Sequence, residues 1–290
     1  MNCNLCPRNC GVNRNLNLGY CLKNNTLEIS KVMLHYGEEP FLTNNGPSGA
    51  IFFAGCNLKC VYCQNYEISN GNGKPVSVDT LVDIFKQLET AGANNIDLVS
   101  PTHYASLIMQ ALKIYKPKVP VIYNCGGYEN ITTIKELCNY VDIFLFDLKY
   151  YNNSLAVKYS NAPNYFSIAT ECILTAIKLK PNKYNKNQLL QGVAIRHLCL
   201  PNNTNDSKNV LNWIAKTDNT LPVSIMSQYV PMYKACNYPE INRTLKPLEY
   251  KIIVNYAKKL NFTNALIQDL SSSTTQLLPN FNVQDKQFKY

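Results

Sequence analysis

From Gly49 onward, short β-branched or aromatic runs alternate with amphipathic stretches. That rhythm is the mark of repeated β-α units around a parallel sheet. The apolar runs predict strands at Ala50–Ala54, Ile96–Val99, Val119–Tyr123, Asp142–Leu148, Gly192–Leu200 and Val223–Tyr229. Between them, the spacing of apolar positions predicts helices at Val78–Ala91, Tyr104–Ile114, Ile131–Tyr140, Tyr165–Leu179, Lys208–Lys216 and Leu248–Leu260. In the first helix Leu81, Ile84, Phe85 and Leu88 share one face, Ser77 serves as N-cap and Gly92 ends it. The second helix stops before Pro117. The fourth strand is almost continuously apolar, as expected when both faces are covered. Six such units predict an α/β fold of the partial (β/α)6 barrel type, short of the eight units of a closed barrel.

Residues 1–45 follow another pattern, rich in Asn and turn residues, and read as a small cysteine-bearing cap. Residues 46–263 form the predicted barrel, and 264–290 a C-terminal extension with one further strand at Ala265–Asp269 and a polar tail.

The chain has 290 residues, 46% hydrophobic and 16% charged, a globular rather than disordered composition. No apolar run approaches the length of a membrane helix, and the opening Met-Asn-Cys-Asn-Leu-Cys lacks a basic region followed by an apolar one. A cytoplasmic protein without a membrane partner is expected. The formal charge is +9, but the lysines are scattered (Lys113, Lys116, Lys118; Lys178, Lys180, Lys183, Lys186; Lys258, Lys259). A solvated basic surface fits this better than a nucleic-acid partner.

Cysteine placement changes the picture more. Of twelve cysteines, four lie within residues 3–21 and three within 56–63. A secreted disulfide framework would require export, so short-spaced clusters point to metal or iron–sulfur ligation. Cys56, Cys60 and Cys63 fall in the loop after the first predicted strand, where parallel folds place functional residues. Three thiolates in eight residues can wrap one side of a cuboidal [4Fe–4S] cluster, which normally takes four. One iron is then left open for a small molecule. The competing reading is a closed zinc site or free buried thiols, and a three-cysteine set at this spacing speaks against it.

The segment Gly55-Cys56-Asn57-Leu58-Lys59-Cys60-Val61-Tyr62-Cys63-Gln64-Asn65 resembles the signature of the radical S-adenosylmethionine (SAM) superfamily, with its aromatic residue just before the last cysteine. Within that superfamily it most resembles the pyruvate formate-lyase-activating enzymes, from about Gly49 to Tyr233. The resemblance implies that the open iron binds SAM through its amino and carboxylate groups. Reductive cleavage then gives methionine and a 5′-deoxyadenosyl radical that abstracts hydrogen, plausibly from a backbone glycine of a protein partner. An electron donor such as flavodoxin or ferredoxin is implied as well.

The same resemblance assigns further positions. Tyr62 matches the aromatic residue beside the adenine. Ser100-Pro101-Thr102-His103-Tyr104 stands where many relatives carry Gly-Gly-Glu, so backbone carbonyls or Thr102 would contact the SAM amino group instead. His103 reads equally as functional or structural. Asn124-Cys125-Gly126-Gly127-Tyr128 resembles the Thr-Asn-Gly-aromatic turn, and its glycines permit close backbone approach to a ligand. Asp147-Leu148-Lys149 matches the activating enzymes' Asp-Leu-Lys, in which the aspartate helps hold a monovalent cation near SAM and the lysine lies near the reacting centre. Arg196 aligns with an arginine that pairs with the SAM carboxylate, an ordinary ion pair being the alternative. Gln228-Tyr229-Val230-Pro231 would face substrate.

Cys3, Cys6, Cys10 and Cys21 supply a complete four-thiolate set for a structural zinc or a second iron–sulfur cluster. Cys125, Cys138, Cys172, Cys199 and Cys236 are isolated and mostly read as core residues. Two other functional readings remain: radical SAM modification of a small molecule or RNA, and a non-catalytic iron–sulfur electron-transfer module. Tyr62 and the Asp147/Lys149 pair weigh against the latter.

Overall fold

The computed structural model describes residues 3–71, 73–274, 279–281 and 283–290. Parts of the expected polar tail, and the first two residues of the cap, lie outside these. The chain enters the sheet as β1 (Leu27–His35), passes through the short helix α1 (Pro40–Thr43) and returns antiparallel as β2 (Ser48–Phe53). A single turn, α2 (Tyr66–Ser69), leads to β3 (Lys74–Val76), antiparallel to β1. Then come α3 (Val78–Thr90), β4 (Ile96–Val99), α4 (Ala105–Ile114), β5 (Val121–Cys125), α5 (Ile131–Leu137) and β6 (Ile143–Asp147). Two helices, α6 (Asn153–Ser160) and α7 (Tyr165–Leu179), precede a hairpin of β7 (Lys183–Asn185) and β8 (Gln188–Leu198). The series ends with α8 (Thr204–Asp218), β9 (Val223–Met226), α9 (Pro247–Lys259) and β10 (Ala265–Ile267).

The sheet order is β10-β9-β8-β6-β5-β4-β2-β1-β3. All pairings from β10 to β2 are parallel, and β1 and β3 extend the edge antiparallel. The fold is therefore the expected α/β partial barrel, open between β10 and β3.

Period-two alternation sorts the strand residues. On β6, Phe144 and Phe146 join the large core beneath the helices, whereas Ile143 and Leu145 pack inward with Leu42, Ile122, Leu189 and Ala194. Leu42 belongs to α1, which is tied to the N-terminal end of β4 by Asn94 and Asn95 donating to the carbonyls of Thr43 (2.5 Å) and Leu42 (3.0 Å). The barrel thus has a floor of apolar side chains under α1. Above that floor the inward positions turn polar, with Asp97, Asn124, Asp147, Arg196 and Ser224.

Ser77 caps α3 as expected, accepting from the Thr80 amide at 3.0 Å. The elements that periodicity did not reveal are β1, β3, β7, α1, α2 and α6. β1 lies within the residues read as cap, yet it pairs along β2 from Ile29 to His35. Its sequence, Leu-Glu-Ile-Ser-Lys-Val-Met-Leu-His, buries lysine and serine along with its apolar residues, so alternation is blurred. No helix among the described residues is long and apolar enough to cross a membrane.

Leu145 is fully buried in the floor. Leu145→Ala is expected to cost about 2–5 kcal/mol in denaturant unfolding; a loss below about 1 kcal/mol would mean that the floor is not a packed layer.

Candidate active site

The loop that leaves β2 begins with a left-handed residue, Gly55 (φ +88°). A Cβ there would lie 2.6 Å from both the Cys21 carbonyl oxygen and Lys23 Cγ, so only glycine fits. Just before it, the Ala54 carbonyl meets His103 Nε2 at 2.6 Å. Burial pushes the His103 imidazole down to about 3, so it is neutral and anchors the loop. Further along, the amides of Lys59 and Val61 donate to the carbonyls of Ser160 (3.1 Å) and Tyr159 (2.8 Å) at the end of α6. Asn57 donates to the Tyr128 carbonyl at 2.6 Å, and Arg8 Nε donates to the Asn57 carbonyl at 2.7 Å.

These restraints bring Cys56, Cys60 and Cys63 together at the C-terminal rim of the sheet, all partly buried. Burial, and next the charge of Cys60, pushes the Cys56 thiol up to about 11. Burial, then Cys60 and Cys56, pushes Cys63 up to about 12. Three thiolates here repel one another unless cations neutralise them, which is what cluster irons do. Each cluster thiolate binds a different iron, so the sulfurs need not meet at one point. Consistent with this, no three Cys, His, Asp or Glu side chains among the described residues converge as a single ion requires. The donor set fits a cluster with one iron left open.

Cys60 Sγ lies 2.9 Å from Ser160 Oγ, which lies 2.7 Å from Tyr150 Oη, which lies 2.5 Å from Tyr62 Oη. Tyr62 is buried, with its ring edge-on to Tyr229. At the end of β6, Lys149 Nζ donates to Asp147 Oδ2 at 2.6 Å. Burial alone would lower the Lys149 amine, but Asp147, with Cys60 next, holds it well above its ordinary value. The Gly126-Gly127 turn threads between this pair and the cluster loop. A Cβ on Gly126 would meet Leu58 Cδ1 at 2.7 Å, and one on Gly127 (φ +79°) the Asp147 carbonyl at 2.5 Å.

Other expected ligand residues have partners within the protein. Thr102 is buried and donates to Glu129 Oε1 at 2.6 Å. Asn124 donates to Asp97 Oδ2 at 3.1 Å. Arg196 forks onto Glu39, Nε to Oε1 at 2.8 Å and NH2 to Oε2 at 2.6 Å, and also pairs with Glu38. A cavity of about 180 Å³ beside this ion cluster is lined by Glu38, Glu39, Gln64, Arg196, Met226 and Gln228, among others. It connects the barrel interior to the cluster loop, since Gln64 adjoins Cys63 and donates to the Gln228 carbonyl at 2.9 Å.

Sequence reasoning passed over Asp97, Glu38, Glu39, Tyr150 and Ser160. A lone charge inside the apolar strand Ile96–Val99 was the readable signal for Asp97. Nothing local marks the others, whose roles come from long-range contacts.

In the cap, Cys3, Cys10 and Cys21 are electrostatic neighbours, and Gly19 leaves space beside both Cys10 and Cys21, whose sulfurs would be 3.5 and 3.4 Å from a Cβ there. Cys6 is buried toward Asn57 and its thiol is pushed up to about 12, mainly by that burial. Cys3, Cys10 and Cys21 therefore share one face, with Cys6 on the side of the barrel.

A cysteine trio at the rim of an open parallel barrel, with an ion-paired lysine opposite, defines an iron–sulfur enzyme of the partial-barrel class. The chain belongs to the radical SAM superfamily, whose family match covers residues 50–214. Cleavage of SAM at an iron–sulfur cluster is implied by that membership. It is 32% identical over 274 residues to the protein MJ0674 of Methanocaldococcus jannaschii, covering 90% of this chain and 75% of that one. It is 23% identical over 238 residues to the pyruvate formate-lyase-activating enzyme of Staphylococcus epidermidis, covering 74% and 89%. Among solved structures, HydG, a maturase of the [FeFe]-hydrogenase, superposes with a TM-score of 0.51 at 13% identity, over 73% of this chain and 48% of that one. Methylornithine synthase gives 0.50 at 15% identity, over 73% and 60%. The chain thus spans about half to three-fifths of these structures, and the likeness concerns the fold.

Asp97 is 1% exposed and its Oδ1 has no hydrogen-bond partner. Burial, with Glu38 next, pushes its carboxyl from the ordinary 3.8 up to about 8. Between those values the folded chain keeps a proton that the unfolded chain has lost, so stability falls as pH rises, by about 1.4 kcal/mol per unit from this group. Urea unfolding of Asp97→Asn against the parent at pH 5 and pH 8 is expected to shift in the variant's favour at the higher pH. An unchanged gap would contradict a protonated Asp97.

Proposed function

We propose that Cys56, Cys60 and Cys63 hold a [4Fe–4S] cluster at which this enzyme reductively cleaves SAM, and that it abstracts hydrogen from a glycine of a protein partner. When bound, cluster and SAM supply an electron and a 5′-deoxyadenosyl radical. The observation that carries this reading is the trio of thiols, lacking a fourth on its loop, facing the Asp147–Lys149 pair. Superfamily members draw electrons from flavodoxin or ferredoxin, and we assign the same donors and a cytoplasmic setting here.

The chain's own residues then orient and charge-balance the site. Tyr62 offers an aromatic wall beside the adenine, fixed by Tyr150 and Tyr229. Asp147 keeps a carboxylate oxygen for a monovalent cation while its partner Lys149 stays protonated near the reacting centre. Arg196, with Nε and NH2 engaged by Glu38 and Glu39, presents the rest of its fork to the SAM carboxylate. Asn124 and, because the Thr102 hydroxyl is committed to Glu129, the backbone carbonyls around Thr102 contribute to SAM binding. The glycine target draws support from Asp147-Leu148-Lys149 and from the Staphylococcus epidermidis relative; a small molecule or RNA base is the competing substrate. Cys3, Cys6, Cys10 and Cys21 bind a structural zinc, in preference to a second cluster, once their four sulfurs are drawn together.

Anaerobically reconstituted protein given SAM and dithionite is expected to release 5′-deoxyadenosine, with Cys60→Ala reducing the yield at least a hundredfold. Equal yields from parent and variant would refute the assignment. Metal analysis of protein lacking the central cysteines (Cys56→Ala/Cys60→Ala/Cys63→Ala) is expected to find about one zinc and no iron per chain. Stoichiometric iron would place a second cluster in the cap, and no metal would leave the four thiols free.

A further inference from the structure

Between the cluster loop and α6 runs a line of three hydroxyls, of which the proposed reaction uses only the far end, where Tyr150 fixes the Tyr62 ring. Ser160, Tyr150 and Tyr62 are 0%, 1% and 4% exposed, and their oxygens stand 2.7 and 2.5 Å apart in sequence. The line begins at Cys60 Sγ, 2.9 Å from Ser160 Oγ. A cysteine bound to iron is a thiolate and can only accept. Ser160 must therefore spend its one proton on Cys60. Its oxygen is then free to accept from Tyr150, whose oxygen in turn accepts from Tyr62. Each hydroxyl has one proton, so binding a cluster fixes the direction of all three bonds. Aligned hydroxyls polarise one another, and in a dry setting the last donor is strengthened.

We propose that Ser160 is a positioning and tuning residue for the cluster, donating a polarised hydrogen bond to the Cys60 thiolate and so raising the cluster's reduction potential. This rests on the radical SAM reading above. Hydrogen bonds to the sulfurs are among the factors that set an iron–sulfur potential. On reduction the cluster gains one electron and negative charge spreads onto its sulfurs, so the donated bond strengthens in the reduced state. No proton has to move along the line. The other role open to Ser160 is structural, since its carbonyl and that of Tyr159 clamp the Lys59 and Val61 amides. Those are backbone contacts, and Ser160→Ala retains both. The substitution therefore separates tuning from clamping.

The test is an EPR-monitored redox titration of the reconstituted cluster, without SAM, in the parent, Ser160→Ala and Tyr150→Phe. At the potential where the parent is half reduced, Ser160→Ala is expected to lower the reduced-to-oxidised ratio about tenfold, equivalent to about 59 mV for one electron. Tyr150→Phe leaves the Cys60 bond but removes its polarisation, so the shift is expected to be smaller and in the same direction. Full iron content with an unmoved or raised midpoint in Ser160→Ala overturns the proposal. If Ser160→Ala fails to load iron, Tyr150→Phe decides alone, and an unmoved midpoint there overturns it. Parent protein that shows no [4Fe–4S] signal refutes the radical SAM reading itself; a loaded parent with unmoved variants refutes only the role of Ser160.

Discussion

Three sulfurs packed into one short loop are an unfavourable arrangement for a polypeptide alone. Each is partly removed from water, and each thiolate raises the cost of ionising the next. Such a loop holds its shape only if the backbone is gripped from outside, and the grip here comes from four directions. Gly55 is wedged against the cap, Ala54 is tied to His103, Asn57 to Tyr128, and Lys59 and Val61 to the end of α6. None of these contacts is local in sequence. The barrel is the frame that makes them simultaneous, because parallel strands deliver all the following loops to the same rim.

The interior below that rim solves a second problem. Three acidic side chains, Glu38, Glu39 and Asp97, surround one guanidinium in the barrel. Burying ions costs several kcal/mol apiece, and a single pair rarely recovers it. The fork of Arg196 onto Glu39 recovers part through two aligned bonds, and Asp97 avoids the remainder by staying protonated. What this arrangement secures is orientation. Arg196 is held against β1–α1 connections from one side and fixed in register beside Asp147 on the neighbouring strand. A group entering the cavity meets a guanidinium already held in place by two carboxylates rather than a mobile cation.

Much of this is legible in the sequence. Apart from α6 and β7, strand and helix positions between Ile96 and Lys259 follow from apolar period because those elements are covered on one or both faces by the core. The cysteine loop was readable because ligation demands a residue type at fixed spacing. The antiparallel strands β1 and β3 are not, since β1 mixes Lys31 and Ser30 into its buried positions and β3 is three residues long. α6 was missed because Asn-Ser-Leu-Ala-Val-Lys-Tyr-Ser carries only a weak apolar stripe. Around the site, a residue such as Ser160 is invisible to spacing arguments. It lies a hundred positions from Cys60, and only the fold brings their side chains together.

The same reasoning bears on the cap. Arg8 donates to the Asn57 carbonyl and to that of Asn161, while its guanidinium lies over the rings of Tyr20 (4.1 Å) and Tyr128 (4.9 Å). Arg14 donates to the His103 carbonyl at 2.5 Å. Cap residues thus contact the cluster loop, the turn after β5, the end of α6 and the histidine that holds Ala54. The wall against which Gly55 is fitted is itself cap backbone, at Cys21. A cap of this size has little core of its own, so its order depends on these docking contacts. Since the cluster loop takes its shape partly from that wall, the two cysteine sets are mechanically one unit, and the condition of the first bears on the geometry of the second.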